Sequence, residues 1–412
     1  MVSFKFNSKE QSIIIYTLIL CVFWGLIIIP RIFNLIFIAS LPLIALALTN
    51  KQKNLIFKKY ILLIFISLFI NAVSCYYFRG QSLFLSFRTE NFINFLPILF
   101  YFFLIKKNPS LNSLNKIISF LYLLFCVCYI VQYSILPNSI FRLYNFTESE
   151  RRFRLCGQLI LALGYFQSLN IYILTKNKFN LLLAVLGFSI YIMLGFRTML
   201  LALLCCSFLM IIKIEKITLK KAMTYLLMLT IIVVILLQFN FTENTISSII
   251  NRSETNNFNN EDYIRYRQLH YFTNEHFINN IERFWGSGFY HEKSDYGKMM
   301  SGLHTYDKYG NMTSSIAMWV DWGLLGLSWI AGIPTVIFII IISLLAFLKK
   351  KPKEYFYLSY FYLFLLLCSI TTTEWFREGA FVFHAIALYC IEIISKKRLI
   401  KKKINQEQIQ QN

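Results

Sequence analysis

Charge is scarce in this 412-residue chain: 15% of its residues are Asp, Glu, Lys or Arg, against 57% hydrophobic and 17% aromatic. So little charge excludes a soluble globular domain, and the apolar runs of roughly 20 residues match the ~30 Å hydrocarbon core that a transmembrane helix crosses. Barrel strands alternate and are about half as long, which sets a β-barrel aside. Cysteine is missing from the one long polar interval, residues 240–315, so no disulfide framework or thiolate metal site is expected to order it. A Walker lysine loop, a nucleophile elbow and an HExxH pair are missing too, which removes ATP-driven transport and serine or zinc hydrolysis. No repeat, heptad or low-complexity tract stands out. The apolar runs hold almost no mid-span ionisable groups, a pattern that favours interfacial chemistry over translocation. The stretch from Ser12 to Ile29 is too long for a cleavable signal core and is expected to remain as an anchor.

What is present is a series of twelve apolar runs, at residues 12–29, 32–48, 60–78, 91–105, 117–136, 156–174, 179–194, 198–212, 222–239, 323–348, 355–372 and 379–395. They predict an all-α polytopic membrane protein of about 12 transmembrane helices, with one large extracytoplasmic loop between helices 9 and 10. Helices 1–9 fill residues 1–239, the loop 240–315, helices 10–12 residues 316–395, and a basic cytoplasmic tail 396–412. Pro334 is expected to kink the tenth helix. Lysine clusters in the odd connections, such as Lys58–Lys59, Lys106–Lys107 and Lys349–Lys351, mark those connections as cytoplasmic and place both termini there. The net charge of +21 is then a record of topology, and no nucleic-acid partner is expected.

The kind of cation differs between the two sides. On the expected inner side 24 of 25 basic residues are Lys, whereas on the outer side 13 of 16 are Arg. A guanidinium offers a fixed fork for phosphate or carboxylate oxygens and is less costly to desolvate than an ammonium. Two readings stay open: an outer-face site for an anionic, phosphorylated ligand, or arginines that snorkel and pair with the 15 outer carboxylates. Arg197 is the sharpest candidate, because the turn Gly195–Thr198 isolates it between two apolar runs. Arg79 and Arg88 cluster near Glu90, and Arg151, Arg152, Arg154 and Arg142 near Glu148 and Glu150. Arg265 and Arg267 lie in the long loop. The turn Thr371–Gly379 sets Arg377 beside Glu374 and Trp375, a combination suited to hydrogen-bonding sugar hydroxyls and stacking a sugar face, though salt bridging explains it equally well. His304 is a candidate base, as its ordinary pKa of ~6.5 suits proton transfer near neutrality. The loop histidines His270, His276, His291 and His304 lack paired helical spacing, so neither a metal nor another cofactor is expected.

The order of these features resembles the O-antigen polymerase and O-antigen ligase superfamily. The matching pieces are Gly195-Phe196-Arg197-Thr198 at an outer helix turn, Arg265-Tyr266-Arg267-Gln268 and Phe284-Trp285-Gly286-Ser287-Gly288-Phe289 within the largest loop, and Asp321-Trp322-Gly323-Leu324-Leu325-Gly326 opening the tenth span. They cover residues 195–327, and the first half of the chain matches only in hydropathy. Where the ligase pattern carries His-Asn this chain has Met312-Thr313, and Asp321 stands where a Glu is common, which tilts the reading toward a polymerase. The resemblance implies a glycosyltransferase that polymerises undecaprenyl-diphosphate-linked oligosaccharide repeat units for O-antigen, capsule or exopolysaccharide. It would work without metal on the outer face of the bacterial cytoplasmic (inner) membrane. The lipid-linked oligosaccharide and membrane lipid are its implied partners, with a chain-length regulator and a flippase alongside. Arg197 with Arg265 or Arg267 would hold the diphosphate, and His304, Asp321 or Glu374 would activate the acceptor hydroxyl. A ligase, or in another class a polysaccharide flippase or transporter, is the alternative.

Overall fold

In lipid an apolar chain satisfies its backbone most simply as helix. The structure, a computed structural model, describes residues 5–21, 32–52, 54–147, 152–216, 264–306 and 312–411. The expected ninth span, residues 222–239, the loop residues 240–263, and Arg151 and Arg252 lie outside the described residues. The described chain runs α1 (Ser8–Cys21), α2 (Ile32–Thr49), α3 (Lys58–Arg79), α4 (Leu83–Phe87), α5 (Glu90–Phe95), α6 (Phe100–Lys107), α7 (Leu111–Ser134), β1 (Tyr144–Thr147), β2 (Arg152–Arg154), α8 (Leu159–Thr175), α9 (Lys178–Leu194) and α10 (Arg197–Glu215). It resumes with α11 (Ile264–His270), α12 (Asn280–Trp285), α13 (Asp295–Ser301), β3 (His304–Tyr306), β4 (Met312–Ser315), α14 (Gly323–Ala331), α15 (Ile333–Leu348), α16 (Phe356–Cys368) and α17 (Ala380–Gln411). The strands form two small antiparallel hairpins, with Tyr144 opposite Arg154 and His304 opposite Ser315.

Helices α3, α7 and α10, of 22, 24 and 19 residues, are each long and apolar enough to cross a membrane, in line with the expected helical membrane class. The N-terminal half of α17 is buried on every side from Ala380 to Glu392, as a helix at the centre of a bundle must be. Close approach of α7, α8 and α9 depends on small residues. A Cβ on Gly164 would stand 2.2 Å from the Tyr122 ring, and one on Gly187 2.1 Å from its hydroxyl, which donates to the Leu183 carbonyl at 2.7 Å.

Two expected spans are broken. The run 91–105 divides into α5, a 3-10 turn Leu96–Leu99 and α6, because Pro97 removes a backbone donor there. The run 323–348 breaks at Gly332, with φ of +90°, and is not kinked at Pro334, which sits in the first turn of α15 where a missing N–H is harmless. A Cβ on Gly332 would stand 2.3 Å from the Trp285 carbonyl oxygen, so the loop segment Trp285–Gly288 is what the break accommodates. Ser287 and Gly288 donate from their amides to the Trp329 and Ile330 carbonyls at 3.0 and 2.9 Å. Asn71 of α3 donates to the Trp285 and Ile330 carbonyls at 2.7 and 2.8 Å, tying the inserted segment and the end of α14 to α3.

Lysine and arginine occupy opposite ends of the same helices: α3 runs from Lys58 to Arg79, and α10 starts at Arg197 and carries Lys213 in its last turn. Hydrogen bonds tie the lysine ends together. Lys353 donates to the Ile214 carbonyl at 3.2 Å, and Glu392 accepts from the Ile56 amide and the Tyr101 hydroxyl at 2.9 and 3.0 Å.

Candidate functional site

At the arginine end, β2 delivers Arg154 into the bundle, and the turn that follows is fixed by the Gly157 amide donating to the Glu378 carbonyl at 2.8 Å. That bond brings together the entry to α8 and the α16–α17 connection, which holds Glu374 in a 3-10 turn. Arg154 Nη1 donates to Glu374 Oε1, and Arg377 Nε donates to the same oxygen at 3.3 Å. The side chains of Arg154 and Glu374 are each only 4% exposed. The Arg154 guanidinium lies 3.7 Å from the centre of the Phe196 ring, and its Nη2 lies 3.9 Å from Met199 Sδ. Phe196 and Met199 flank Arg197, so the turn that carries Arg197 forms one wall of this cluster. Arg197 itself is half-buried at the first position of α10.

Burial raises the Glu374 carboxyl, but Arg154 and Arg377 outweigh it and hold the pKa below the usual carboxylate range. Burial, with Arg377 adding to it, lowers Arg154 to about 10, which still leaves it charged at neutrality. An ionised carboxylate already accepting from two guanidiniums is a poor general base; it orients the arginines instead. Arg154 Nε, both polar atoms of Gln158, and the hydroxyls of Thr371 and Thr373 are buried with no hydrogen-bond partner among the described residues. Buried polar groups are nearly always paired, so this end of the bundle holds unused binding capacity.

Loop residues close over the same region on an aromatic floor. Phe289 stacks on Phe376 with centroids 5.9 Å apart, and Phe95 and Trp319 pack on Phe376 at 4.8 and 5.8 Å. Asp321 is half-buried in the 3-10 turn after Trp319, and the Leu324 amide donates to the Ser369 carbonyl at 2.9 Å, which joins that turn to the Glu374 connection. α11 docks on it through Trp322 Nε1, which donates to Gln268 Oε1 at 3.1 Å; Arg265 and Arg267 on this helix are half-buried. His304 is half-exposed in β3, whose hairpin leads into the Trp319 turn. Among the described residues no three His, Cys, Asp or Glu side chains converge as a metal site would require.

Other expected site residues lie apart. Arg79 is part of a separate knot, donating to the fully buried Glu282 and to the His276 carbonyl, with the Tyr296 ring 5.2 Å away. Arg88 is exposed over Phe84. Trp375 is 1% exposed: its indole donates to Ser343 at 2.8 Å and stacks on His384 at 4.0 Å. With that face covered by His384, the sugar-stacking role expected of Trp375 has no open ring to use. Residues that sequence reading passed over include Gln81, Asn71 and Glu282. Asn71 carried a signal, being an amide in the middle of an apolar run; Gln81 and Glu282 carried none beyond their polarity.

Compared with protein-family models and with curated proteins, the chain matches none. The site is therefore defined by its own geometry, as an arginine-lined end on an apolar helical bundle, roofed by a folded polar segment.

Proposed function

We propose that this protein is a membrane glycosyltransferase that polymerises oligosaccharide repeat units carried on undecaprenyl diphosphate. In this reading some twelve helices span the bacterial cytoplasmic membrane, and the arginine end with its roof faces outward. The observation that carries the reading is the buried Arg154–Glu374–Arg377 cluster walled by the turn of Arg197. A transfer from a lipid diphosphate leaves charge on the departing phosphate oxygen, and fixed guanidiniums in a water-poor site stabilise such charge best.

In the reaction the bond between the donor sugar's anomeric carbon and the phosphate oxygen breaks, and the diphosphate leaves with the electron pair. The acceptor hydroxyl oxygen bonds to that carbon, and its proton passes to a base. His304 or Asp321 is assigned that task, since Glu374 is committed to its arginines. Arg197, half-buried at the start of α10, binds the diphosphate, with Arg265 or Arg267 reaching from the roof. Deleting the protein should leave single repeat units on the final carrier of the producing strain. Unattached lipid-linked polymer in that strain would indicate a ligase, and an unchanged glycan ladder would remove the chain from the pathway.

A further inference from the structure

A cavity of about 470 Å³ opens between the start of α5 and the loop that follows Phe289, lined among others by Arg88, Glu90, Asn91, Tyr290, Glu292 and Lys293. Its volume falls within the range of small-molecule sites, ~300–1,000 Å³. The loop wall is held in place from below by Gln81, which is 1% exposed. Gln81 Oε1 accepts from the His291 amide at 2.8 Å and the Ser294 hydroxyl at 2.7 Å, while its Nε2 donates to the Phe289 carbonyl at 2.8 Å. Such a wall is formed before any ligand arrives.

The lining is polar yet balanced in charge. Arg88 and Lys293 share the lining with Glu90 and Glu292. Behind it Arg142, 3.6 Å from Glu90, is offset by Glu378, whose charge also reaches Glu90, so the charges around the cavity balance and a phosphate entering it would meet carboxylates as well as cations. A sugar hydroxyl both donates and accepts, and carboxylate, ammonium, guanidinium and amide groups around one space serve both directions. The half-buried Tyr290 ring adds an apolar face of the kind a pyranose can rest on. The cavity also adjoins the arginine cluster. Tyr290 follows Phe289, which stacks on Phe376 of the Glu374 turn, and the exposed Glu90, paired with Arg142 at 3.6 Å, also feels the negative charge of Glu378, the neighbour of Arg377.

We infer that this cavity is a saccharide subsite, selective for an uncharged or zwitterionic oligosaccharide over a phosphate, that seats the sugar accepting the transferred chain. Its role as acceptor subsite rests on the proposed glycosyl transfer; its ability to bind a saccharide does not.

The test uses the full-length protein purified in detergent. The probe is the phosphate-free oligosaccharide repeat released by mild acid from the producing strain's surface polysaccharide, titrated calorimetrically. Wild type should bind it saturably. Asn91→Ala/Lys293→Ala should bind at least about tenfold more weakly, as expected for two lost hydrogen bonds, one from a charged group. Glu292→Gln, at an exposed position, serves as a second variant, also expected to bind more weakly; wild-type melting temperatures for both exclude misfolding. Excess inorganic pyrophosphate should not compete. Absent wild-type binding, unchanged affinity in both variants, or displacement by pyrophosphate would each overturn the subsite. The glycan ladder of the same strains separates the two claims. A ladder unaffected by deleting the protein defeats the transferase reading, whereas a ladder that needs the protein, with oligosaccharide binding indifferent to both variants, defeats the subsite alone.

Discussion

Arg154 and Glu374, 220 residues apart in the chain, meet as a buried ion pair where the entry to α8 touches the α16–α17 connection. The pair closes a long loop of sequence at the arginine end of the bundle, and Arg377 binds the same carboxylate oxygen. It therefore fixes the shape of this end as well as its charge.

Breaking the pair from one side should be costly. Arg154→Ala leaves Glu374 buried with only the longer Arg377 contact, and removal of one partner of a buried pair costs about 3–5 kcal/mol. Because Arg377 remains, the loss should fall near the lower figure, while Arg154→Met/Glu374→Leu should lose clearly less than Arg154→Ala. Thermal unfolding of the purified variants, followed by tryptophan fluorescence, reads the difference. Equal losses in the two variants would show that the side-chain volumes, and not the charges, hold this end together.

His276 should make the roof acid-sensitive. Burial, reinforced by Arg79, lowers its imidazole pKa to about 3, whereas an unfolded chain would hold it near 6.5. A folded pKa below the unfolded one means its contribution is complete above about pH 6.5 and drains away as pH falls toward the folded value. Wild type should thus lose melting temperature between roughly pH 6.5 and 4.5, and His276→Gln should lose less over that window. Parallel curves for the two proteins would show that His276 is not the sensitive group. Glu374 has its folded pKa lowered, so its contribution is complete above the ordinary carboxylate range and drains away as pH falls through that range toward the folded value, below the window in which His276 acts.

Gly286 and Gly80 provide a matched pair of substitutions. Both have positive φ, +84° and +66°, but a Cβ on Gly286 would meet the Gly332 nitrogen at 2.4 Å and the Ile330 oxygen at 2.5 Å, whereas one on Gly80 meets nothing within 4 Å. Gly80→Ala should cost only the conformational strain, about 1 kcal/mol. Gly286→Ala should cost several-fold more, because the neighbours are backbone and cannot turn away. Chemical denaturation of the two variants side by side makes the comparison, and similar midpoints would contradict the close packing of Trp285–Gly288 into the α14–α15 break.

Gln81→Ala should release the loop above it. Three hydrogen bonds to residues 289–294 depend on that amide, and loss of even one net bond of ~1 kcal/mol speeds local opening several-fold. Hydrogen–deuterium exchange should accelerate at His291 and its neighbours while the α17 core stays protected. Unchanged exchange there would assign the loop's order to its aromatic contacts instead.

Much of the architecture was legible because hydropathy reports burial in lipid directly: α2, α3, α8, α9 and α10 fall within a few residues of the expected runs. The breaks at Pro97 and Gly332 were not, since an apolar run looks alike whether its backbone is continuous or interrupted, and Gly332 was overshadowed by Pro334. Of the expected site residues, Arg154, Glu374, Arg377 and the turn of Arg197 converge, whereas Arg79 serves Glu282 and Trp375 serves Ser343 and His384. Sequence distinguishes an arginine from a lysine but not a ligand arginine from one already paired. That depends on which carboxylate lies across the fold.

The central claim is that guanidiniums at this end grip a lipid diphosphate, and Arg197 tests it most directly. The measurement is chain extension by purified protein in liposomes supplied with the lipid-linked repeat unit, comparing wild type with Arg197→Lys at equal amounts and equal melting temperature. Wild type should build a ladder of longer glycans, and Arg197→Lys, whose point charge lacks the planar fork, should stall at the first units. A full ladder from Arg197→Lys, or none from wild type, would contradict the account.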